Sequence, residues 1–232
     1  MARYVGAAVE SCLGQTSQDW ELLVLDDGST DSTWLLLQEW AGDSRIRLFR
    51  HEKCQGLSAS RNELLKKARG RWLSILDADD LLFQTKMADH AKVLESRADI
   101  GVVWGSSVLL SNGEFTILPK AEFRPGWDVI TPYQAAHSAT TWRKEAVTGA
   151  GGYDPSRVLV EAPDLFLKVG DRYRQEYCPR LAALKRVDSN NSFRKQLTPD
   201  RRDALSHRLI EETLQRRYGV SAGCLRAASS FI

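Results

Sequence analysis

The sequence is poor in cysteine, and its few cysteines are not arranged in pairs. Its four cysteines lie far apart and form no Cys-x-x-Cys motif, which argues against a zinc knuckle. Widely spaced single cysteines are typical of proteins that keep their thiols reduced. We therefore expect free thiols and an intracellular chain.

Long apolar runs and a strong excess of one charge are also missing. No stretch reaches the ~18 apolar residues that a membrane-spanning helix needs, and residues 1–6 are too polar for a signal peptide. The formal net charge is only +2 although 27% of the residues are charged, and no basic block stands out. We expect no nucleic-acid partner and a cytoplasmic protein. Peripheral contact with the inner membrane face through the basic C-terminal region stays open.

The sequence does contain a regular alternation of apolar strands and amphipathic helices. Apolar runs at residues 21–25, 45–50 and 72–76 alternate with helical patterns at residues 33–41, 57–68 and 84–97. This order predicts an α/β fold with a buried parallel sheet. A hairpin that turns at residues 111–113 and a C-terminal helix over residues 199–218 follow. A length of 232 residues fits one domain.

Acidic residues follow two of these strands. Asp77, Asp79 and Asp80 come directly after the strand at residues 72–76, and Asp26 and Asp27 end the strand at residues 21–25. Ligands of such sheets bind at the carboxyl ends of the strands. Three close carboxylates repel one another, and a hard divalent cation that prefers oxygen ligands relieves this repulsion. Capping of the next helix by Asp79 or Asp80 is the alternative.

Five short motifs follow one another along the chain and invite comparison with a known family. They are SCLGQT at residues 11–16, LDDGSTDST at 25–33, GLSASRN at 56–62, LDADD at 76–80 and GGYD at 151–154. Together they resemble the motifs of the family-2 inverting glycosyltransferases with the GT-A fold, apart from Ser60, where alanine is usual. The resemblance covers about residues 4–170.

The resemblance implies a fold and a division of labour within it. The fold would be a Rossmann-like, mostly parallel sheet with helices on both faces and a mixed acceptor-side half. Residues 1–232 would form a single domain, in which about residues 1–105 bind a nucleotide sugar and about residues 106–232 face the acceptor. The implied activity is transfer of a sugar from a nucleotide-diphosphate sugar to a glycan or lipid-linked hydroxyl with inversion. The resemblance also implies a role in cell-surface polysaccharide biosynthesis.

The resemblance also assigns roles to single residues. It implies that Asp26, Asp27 and Arg61 contact the donor nucleotide, together with Asp77 and Ala78. Asp79 and Asp77 would ligate Mg²⁺ or Mn²⁺, and Asp80 would support them. Turn formation and helix capping remain the alternative for Asp26 and Asp27, and a solvated helix charge remains the alternative for Arg61.

Two features depart from the family pattern. The family begins with an apolar strand that is central in the sheet, and we expect this sequence to lack it. The family also has a catalytic Asp at the position that corresponds to Ala162. An inverting transfer needs a carboxylate to accept the proton of the attacking hydroxyl. Glu161 and Asp164 are the candidates, with Glu161 preferred. Favourable charge at a helix N-terminus is the alternative for both.

Histidines and tryptophans carry weaker indications. The four histidines are scattered without ligand spacing, so we interpret them as structural or surface residues. In the region where relatives often have a metal-binding histidine, this sequence has none, and Asp188 is the candidate substitute. Aromatic side chains suit sugar faces, so the acceptor cleft is expected near Trp104, Trp127, Trp142 and Tyr153. Core packing is the alternative for each of these residues.

Three function classes therefore remain open. The first is a metal-dependent glycosyltransferase. The second is a degenerate relative that binds a nucleotide or a partner protein without catalysis, which the expected loss of the first strand and Ala162 would favour. The third is a nucleotidyltransferase, although such enzymes usually carry a glycine-rich N-terminal loop for a triphosphate. No such loop is visible in the sequence.

Overall fold

The computed structural model describes residues 1–118, 135–187 and 199–218. The helices are α1 (Ala2–Leu13), α2 (Thr33–Leu37), α3 (Leu57–Lys67), α4 (Lys86–Ser96), α5 (Lys144–Gly149), α6 (Glu161–Gly170) and α7 (Pro199–Tyr218). The strands are β1 (Leu22–Asp26), β2 (Ile46–Arg50), β3 (Trp72–Ser74), β4 (Leu81–Leu82), β5 (Ile100–Ser111), β6 (Glu114–Leu118), β7 (Thr140–Arg143) and β8 (Arg174–Val187). Short 3₁₀ turns cover Gln38–Trp40 and His137–Ala139.

The described strands form two sheets. Strands β1 and β2 make a parallel pair, and the other six form a sheet in the order β3-β7-β5-β8-β4, with β6 paired to β5. Within the larger sheet only β5 and β8 run parallel, and the other pairs are antiparallel. The α/β class is confirmed. The pairing among the described strands is more mixed than predicted, because the hairpin β5–β6 and the returning strand β7 join the same sheet.

Apolar packing by helices holds the two-stranded sheet in place. Val5 and Val9 of α1, Leu37 of α2 and Ile46 of β2 form one buried cluster. The spacing of Val5 and Val9 places both on one face of α1, which therefore covers the strand pair. Ala78 packs against the same cluster, so the loop after β3 contacts the β1–β2 side of the molecule.

Aromatic residues dominate the core of the larger sheet. Trp104 and Trp142 are fully buried, and the Trp142 ring meets the Phe166 ring edge-on with the ring centroids 4.5 Å apart. Tyr153 is 5% exposed. The core alternative is therefore correct for Trp104 and Trp142, which cannot stack on a sugar, and Trp127 lies outside the described residues.

A cleft of about 680 Å³ separates the two sheets. Leu22 and Leu23 of β1 line one side, and Trp72 and Leu73 of β3 line the other. Among the described strands, β1 pairs only with β2 and β3 only with β7, so one edge of each faces the cleft. No backbone pairing among the described strands joins the two sheets.

Two further sequence predictions concern the cysteines and the absence of a membrane-spanning helix. Of the cysteines in the described part, Cys12 and Cys178 are buried, Cys54 is exposed, and all three are free thiols. No helix among the described residues has both the length and the apolar character needed to cross a membrane. Asp188 lies outside the described residues, and so does the side chain of His207, one of the four histidines.

Candidate functional site

Asp27 lies just beyond the carboxyl end of β1 and organises the loop that leads into α3. Its Oδ1 accepts hydrogen bonds from the Gln55 amide at 2.9 Å and from His51 Nδ1 at 2.7 Å. Its Oδ2 accepts from the Gly56 amide at 2.9 Å and from Cys54 Sγ at 3.2 Å. Burial alone would raise the pKa of Asp27, but these hydrogen bonds outweigh burial and hold the pKa well below its usual range. Asp27 is therefore ionised.

The turn after Asp27 depends on a glycine. Gly28 has a φ of +74°, and a Cβ there would lie 2.8 Å from the Cys54 amide nitrogen. Only glycine combines this backbone conformation with such close approach. The neighbouring Asp26 is 4% exposed, and its carboxylate contacts Arg50 Nε at 3.2 Å and the Ser29 amide at 3.1 Å. Asp26 therefore shapes the turn.

Helix α3 links the end of β1 to the loop after β3. The Gly56 amide just before α3 binds Asp27, and Arg61 within α3 donates from Nη2 to Asp77 Oδ1 at 2.7 Å. Five helical residues span roughly 7.5 Å along the axis. Asp27 and Asp77 therefore lie on the same side of the molecule, as the strand-end argument predicted.

Arg61 also reaches the second half of the chain. Its Nη1 donates to Glu161 Oε1 at 3.1 Å, and its guanidinium lies 5.3 Å from the centroid of the Tyr153 ring. The Arg61 side chain is 11% exposed, so it is not a solvated surface charge. The Arg61 charge, with Lys185, outweighs the effect of burial on Asp77 and lowers the pKa of that carboxyl to about 2. Arg61 thus joins two predicted site carboxylates, Asp77 and Glu161.

Asn62, the next residue of α3, fixes the glycine turn that precedes α6. Its Nδ2 donates to the Tyr153 carbonyl at 2.7 Å, and its Oδ1 accepts from the Tyr153 amide at 2.9 Å. Gly152 has a φ of +72° and lies against Asn62. Tyr153 in turn hydrogen-bonds through its hydroxyl to His137 Nε2 at 2.9 Å. The motifs at residues 56–62 and 151–154 are therefore in direct contact.

The three aspartates after β3 have different surroundings. Asp80 is 1% exposed, and it accepts hydrogen bonds from Ser138 Oγ at 2.6 Å and from the Arg186 amide at 3.0 Å. Burial raises the pKa of Asp80 to about 6, although Lys185 acts in the opposite direction. Asp80 is therefore turned inward and anchors the loop, while Asp77 and Asp79 remain near the surface of the site.

Ser138 and Lys86 complete this anchor. Ser138 Oγ accepts from the Asp77 amide at 3.0 Å while it donates to Asp80. Lys86 is 1% exposed, and its Nζ donates to the Ser138 carbonyl at 2.7 Å and to the Ile75 carbonyl at 3.1 Å. Burial lowers the pKa of Lys86 to about 7. The loop is thus fixed from both ends by buried polar contacts.

The donor set around Asp79 suits a hard cation. Burial, and then the neighbouring Asp77 charge, raises the pKa of Asp79. Among the described residues, no group of three or more His, Cys, Asp or Glu side chains is placed to hold a metal ion. Magnesium sites at phosphates commonly use only one or two carboxylates, with substrate oxygens and waters as the other ligands. Asp77 and Asp79 fit that description.

The two predicted catalytic acids point to different partners. Glu161, at the start of α6, is held by Arg61 and lies next to the aspartate loop through that contact. Asp164 is almost fully buried and is held by Lys168 Nζ at 2.5 Å and by Arg157 Nε at 3.7 Å. The two candidate bases therefore do not lie in one site. Only Glu161 joins the cluster that contains Asp77.

Sequence reasoning missed three residues that build the site. His51 was interpreted only as a structural or surface histidine, and neither Ser138 nor Lys86 was singled out. For His51 a usable indication existed, because it follows β2 directly, at the same sheet edge as Asp27. Ser138 and Lys86 had no such indication, since their role depends on tertiary contacts.

The chain matches the model of a protein family named "Glycosyl transferase family 2" over residues 2–138. One curated relative is the Escherichia coli UDP-Glc:alpha-D-GlcNAc-diphosphoundecaprenol beta-1,3-glucosyltransferase WfgD, 35% identical over 108 residues, which are 47% of this chain and 42% of the relative. The Bacillus subtilis putative glycosyltransferase EpsE is 29% identical over 204 residues, which are 84% of this chain and 72% of EpsE. The chain thus spans less than half of the length of the first of these relatives.

Solved structures with the same fold also exist. The Staphylococcus aureus protein TarS, in a crystal structure of residues 1–349 with UDP-GlcNAc, aligns with a TM-score of 0.72 at 16% identity, covering 94% of this chain and 70% of that one. The mannosyltransferase PcManGT from Pyrobaculum calidifontis, in complex with GDP-Man and Mn²⁺, aligns with a TM-score of 0.65 at 17% identity, covering 99% of this chain and 76% of that one. At these identities the likeness establishes the fold.

Proposed function

The chain belongs to glycosyl transferase family 2, and from this premise we propose that it binds a nucleotide-diphosphate sugar and transfers the sugar to a hydroxyl acceptor with inversion. One observation carries the proposal: α3 joins Asp27, Asp77 and Glu161 into a single cluster through the Gly56 amide and the Arg61 guanidinium. Nucleotide-binding, diphosphate-binding and proton-accepting groups would then share one site.

Donor binding is assigned to the edge formed by the ends of β1 and β3. The ionised Asp27 would accept a hydrogen bond from a nucleobase N–H or a ribose hydroxyl. Asp77 and Asp79 would hold Mg²⁺ or Mn²⁺, which as a Lewis acid stabilises the leaving diphosphate. Arg61 keeps Asp77 ionised, and the buried Asp80–Ser138 contact keeps the loop in place. The complexes of TarS with UDP-GlcNAc and of PcManGT with GDP-Man and Mn²⁺ support a nucleotide-sugar donor.

Proton acceptance is assigned to Glu161. In an inverting transfer the acceptor oxygen forms a bond to the anomeric carbon as the bond to the diphosphate oxygen breaks, and the hydroxyl proton passes to a carboxylate. Glu161 is the carboxylate of α6 that contacts the donor cluster. Ala162, next to it, cannot accept a proton. A relative that binds the donor without transferring it remains the second candidate, because Ala162 occupies the expected base position and Arg61 already engages Glu161.

The acceptor proposal rests on the relatives. The name of WfgD states a diphosphoundecaprenol-linked sugar as acceptor. We extend this to a glycan or lipid-linked acceptor here, with action at the inner face of the membrane. The second half of the domain would face this acceptor.

Calorimetric titration with UDP and with GDP, each with and without MnCl₂, tests the proposal. We expect Mn²⁺-dependent binding of one nucleotide, because Asp77 and Asp79 alone repel a diphosphate. Asp79→Asn keeps the side-chain size but removes the charge, and it should weaken metal-dependent binding at least about tenfold, the usual effect of losing a strong charged contact. Asp99→Asn, in an exposed ion pair with Arg97, is the matched control.

The outcomes separate the candidates. The nucleotide that binds is then offered as its nucleotide-diphosphate sugar: release of the sugar supports a transferase, and binding without turnover supports the non-catalytic relative. Equal affinities of the wild type and Asp79→Asn would show that the metal site is assigned to the wrong residue.

A further inference from the structure

The imidazole of His51 lies between two carboxylates. Its Nδ1 is 2.7 Å from Asp27 Oδ1, and its Nε2 is 2.8 Å from Glu63 Oε2. His51 is 8% exposed, and its backbone amide donates to the Asp26 carbonyl at 2.9 Å. The ring is therefore held at both nitrogens and through its own backbone.

This geometry determines the charge of the ring. An ionised carboxylate only accepts hydrogen bonds, so each ring nitrogen must carry a hydrogen to bind its partner. A neutral imidazole has one N–H, and only the imidazolium has two. In agreement with this, the hydrogen bonds to Asp27 and then to Glu63 raise the pKa of His51 above its usual value.

The carboxylate of Asp27 has all its acceptor positions in use. A carboxylate offers about four lone-pair positions, and His51, the Gln55 and Gly56 amides and the Cys54 thiol occupy them. The thiol is the weakest of these donors, and Cys54 is exposed. A ligand N–H can therefore replace the Cys54 contact while His51 and the two amides keep the carboxylate in position.

We propose that His51, as an imidazolium held by Glu63, is a positioning residue that orients Asp27 for the base of the donor nucleotide. Donor affinity then falls as the pH rises and the ring loses a proton. The proposal rests on the proposed function, since it assumes that Asp27 receives the nucleotide.

The charged groups around His51 set the direction of the pH effect. Asp27 faces the ring from the end of β1, Glu63 faces it from α3, and Cys54 reaches it through Asp27. Lys67, one turn along α3, lies 3.5 Å from the other oxygen of Glu63 and competes for it. When the ring becomes neutral, one nitrogen presents a lone pair to a carboxylate, so one of the two contacts turns repulsive. Both hydrogen bonds of the His51 ring are therefore present at low pH. One of them is lost as the pH rises past the raised pKa of His51.

Nitrogen–proton NMR of the histidine rings tests the charge directly, without nucleotide. The expected result at pH 7 is an imidazolium pattern for His51. His90 is the internal control, because burial lowers its pKa to about 3 and keeps it neutral. A neutral His51 ring at pH 7 would overturn the proposal.

Titration with UDP and MgCl₂ between pH 6.5 and 8.5 tests the positioning role. Wild-type affinity should fall about tenfold across this range, and His51→Gln should be about tenfold weaker at pH 6.5 with little pH dependence, since its amide is always neutral. Glu63→Gln keeps the shape and the histidine but removes one charge, so the fall should move to lower pH. Circular dichroism verifies that both variants fold.

The outcomes distinguish a failure of the positioning role of His51 from a failure of the proposed function. Equal affinity of the wild type and His51→Gln at every pH would overturn the positioning role and leave donor binding intact. A wild-type protein that binds neither UDP nor GDP at any pH would overturn the proposed function, and the positioning role with it.

Discussion

Replacement of Arg61 by methionine tests whether the cluster is held together by one buried charge. The side chains of Arg61, Asp77 and Glu161 are 11%, 28% and 10% exposed, so the guanidinium neutralises two partly desolvated carboxylates. Removal of one partner from a buried ion pair typically destabilises a protein by about 3–5 kcal/mol, because the remaining charge is left without compensation. Methionine retains the apolar part of the arginine stem. We therefore expect a loss near the lower end of that range.

The pH dependence of this loss provides a sharper criterion. In the wild type Asp77 has a pKa of about 2, so its contribution to stability is present above the usual value near 3.8 and is lost only as the pH falls towards 2. Without Arg61, burial dominates and the pKa of Asp77 rises above its usual value. The variant then gains from protonation on acidification, and its deficit relative to the wild type should shrink between pH 7 and pH 4.5.

Urea unfolding at both pH values measures the deficit. Arg97→Met is the control, because Arg97 and Asp99 are about half exposed and such pairs contribute about 0–1 kcal/mol. The double variant Arg61→Met/Asp77→Asn should recover part of the loss. If Arg61→Met is no more destabilising than Arg97→Met, or if its deficit is the same at both pH values, the buried-charge argument is wrong.

Two further substitutions test the supports of the site. Ser138→Ala removes the partner of both Asp80 and the Asp77 amide and should destabilise by about 1–3 kcal/mol in urea unfolding, whereas Ser96→Ala, at an exposed hydroxyl, should stay within about 0.5 kcal/mol. Gly152→Ala forces a residue with φ +72° to carry a Cβ 2.6 Å from Asn62 Oδ1, and a loss of about 1–3 kcal/mol is expected. Gly149→Ala, which has open space around it, should be tolerated. If Ser138→Ala or Gly152→Ala leaves the free energy of unfolding unchanged, these contacts do not support the loops.

The sequence predicted the elements well where apolar periodicity was strong. The strands over residues 21–25 and 45–50 appear as Leu22–Asp26 and Ile46–Arg50, and the hairpin turns at Asn112 and Gly113 with positive φ. Apolar periodicity does not mark the first part of strand β8, which begins with three polar residues, Arg174, Gln175 and Glu176, and contains Pro179. Pairing partners could not be predicted, since the direction of β7 and β8 depends on contacts distant in sequence.

The sequence predicted the carboxylates of the site but not the residues that hold them in place. Asp27 and Asp77 follow apolar strands, and this position alone predicted that they lie on the same side of the molecule. The contacts of Arg61 with Glu161 and of His51 with Glu63 join residues far apart in the chain or on different elements, and no local pattern marks them. Whether a carboxylate stays partly exposed, as for Asp79, or is buried, as for Asp80, depends on tertiary contacts such as those of Ser138 and Arg186, which sequence spacing does not reveal.

The separation of β1–β2 from the larger sheet has a consequence for motion. No ladder of backbone hydrogen bonds among the described residues crosses the cleft. Helices α1 and α3 and the loop after β3 therefore connect the strand end at Asp27 to the loop that carries Asp77 and Asp79. Side-chain packing yields to local opening more readily than a continuous hydrogen-bonded sheet. The amide protons of β1 and β2 should therefore exchange with solvent deuterium earlier than those of β5 and β8. A ligand that contacts both Asp27 and the loop after β3 should slow the exchange of the smaller sheet first.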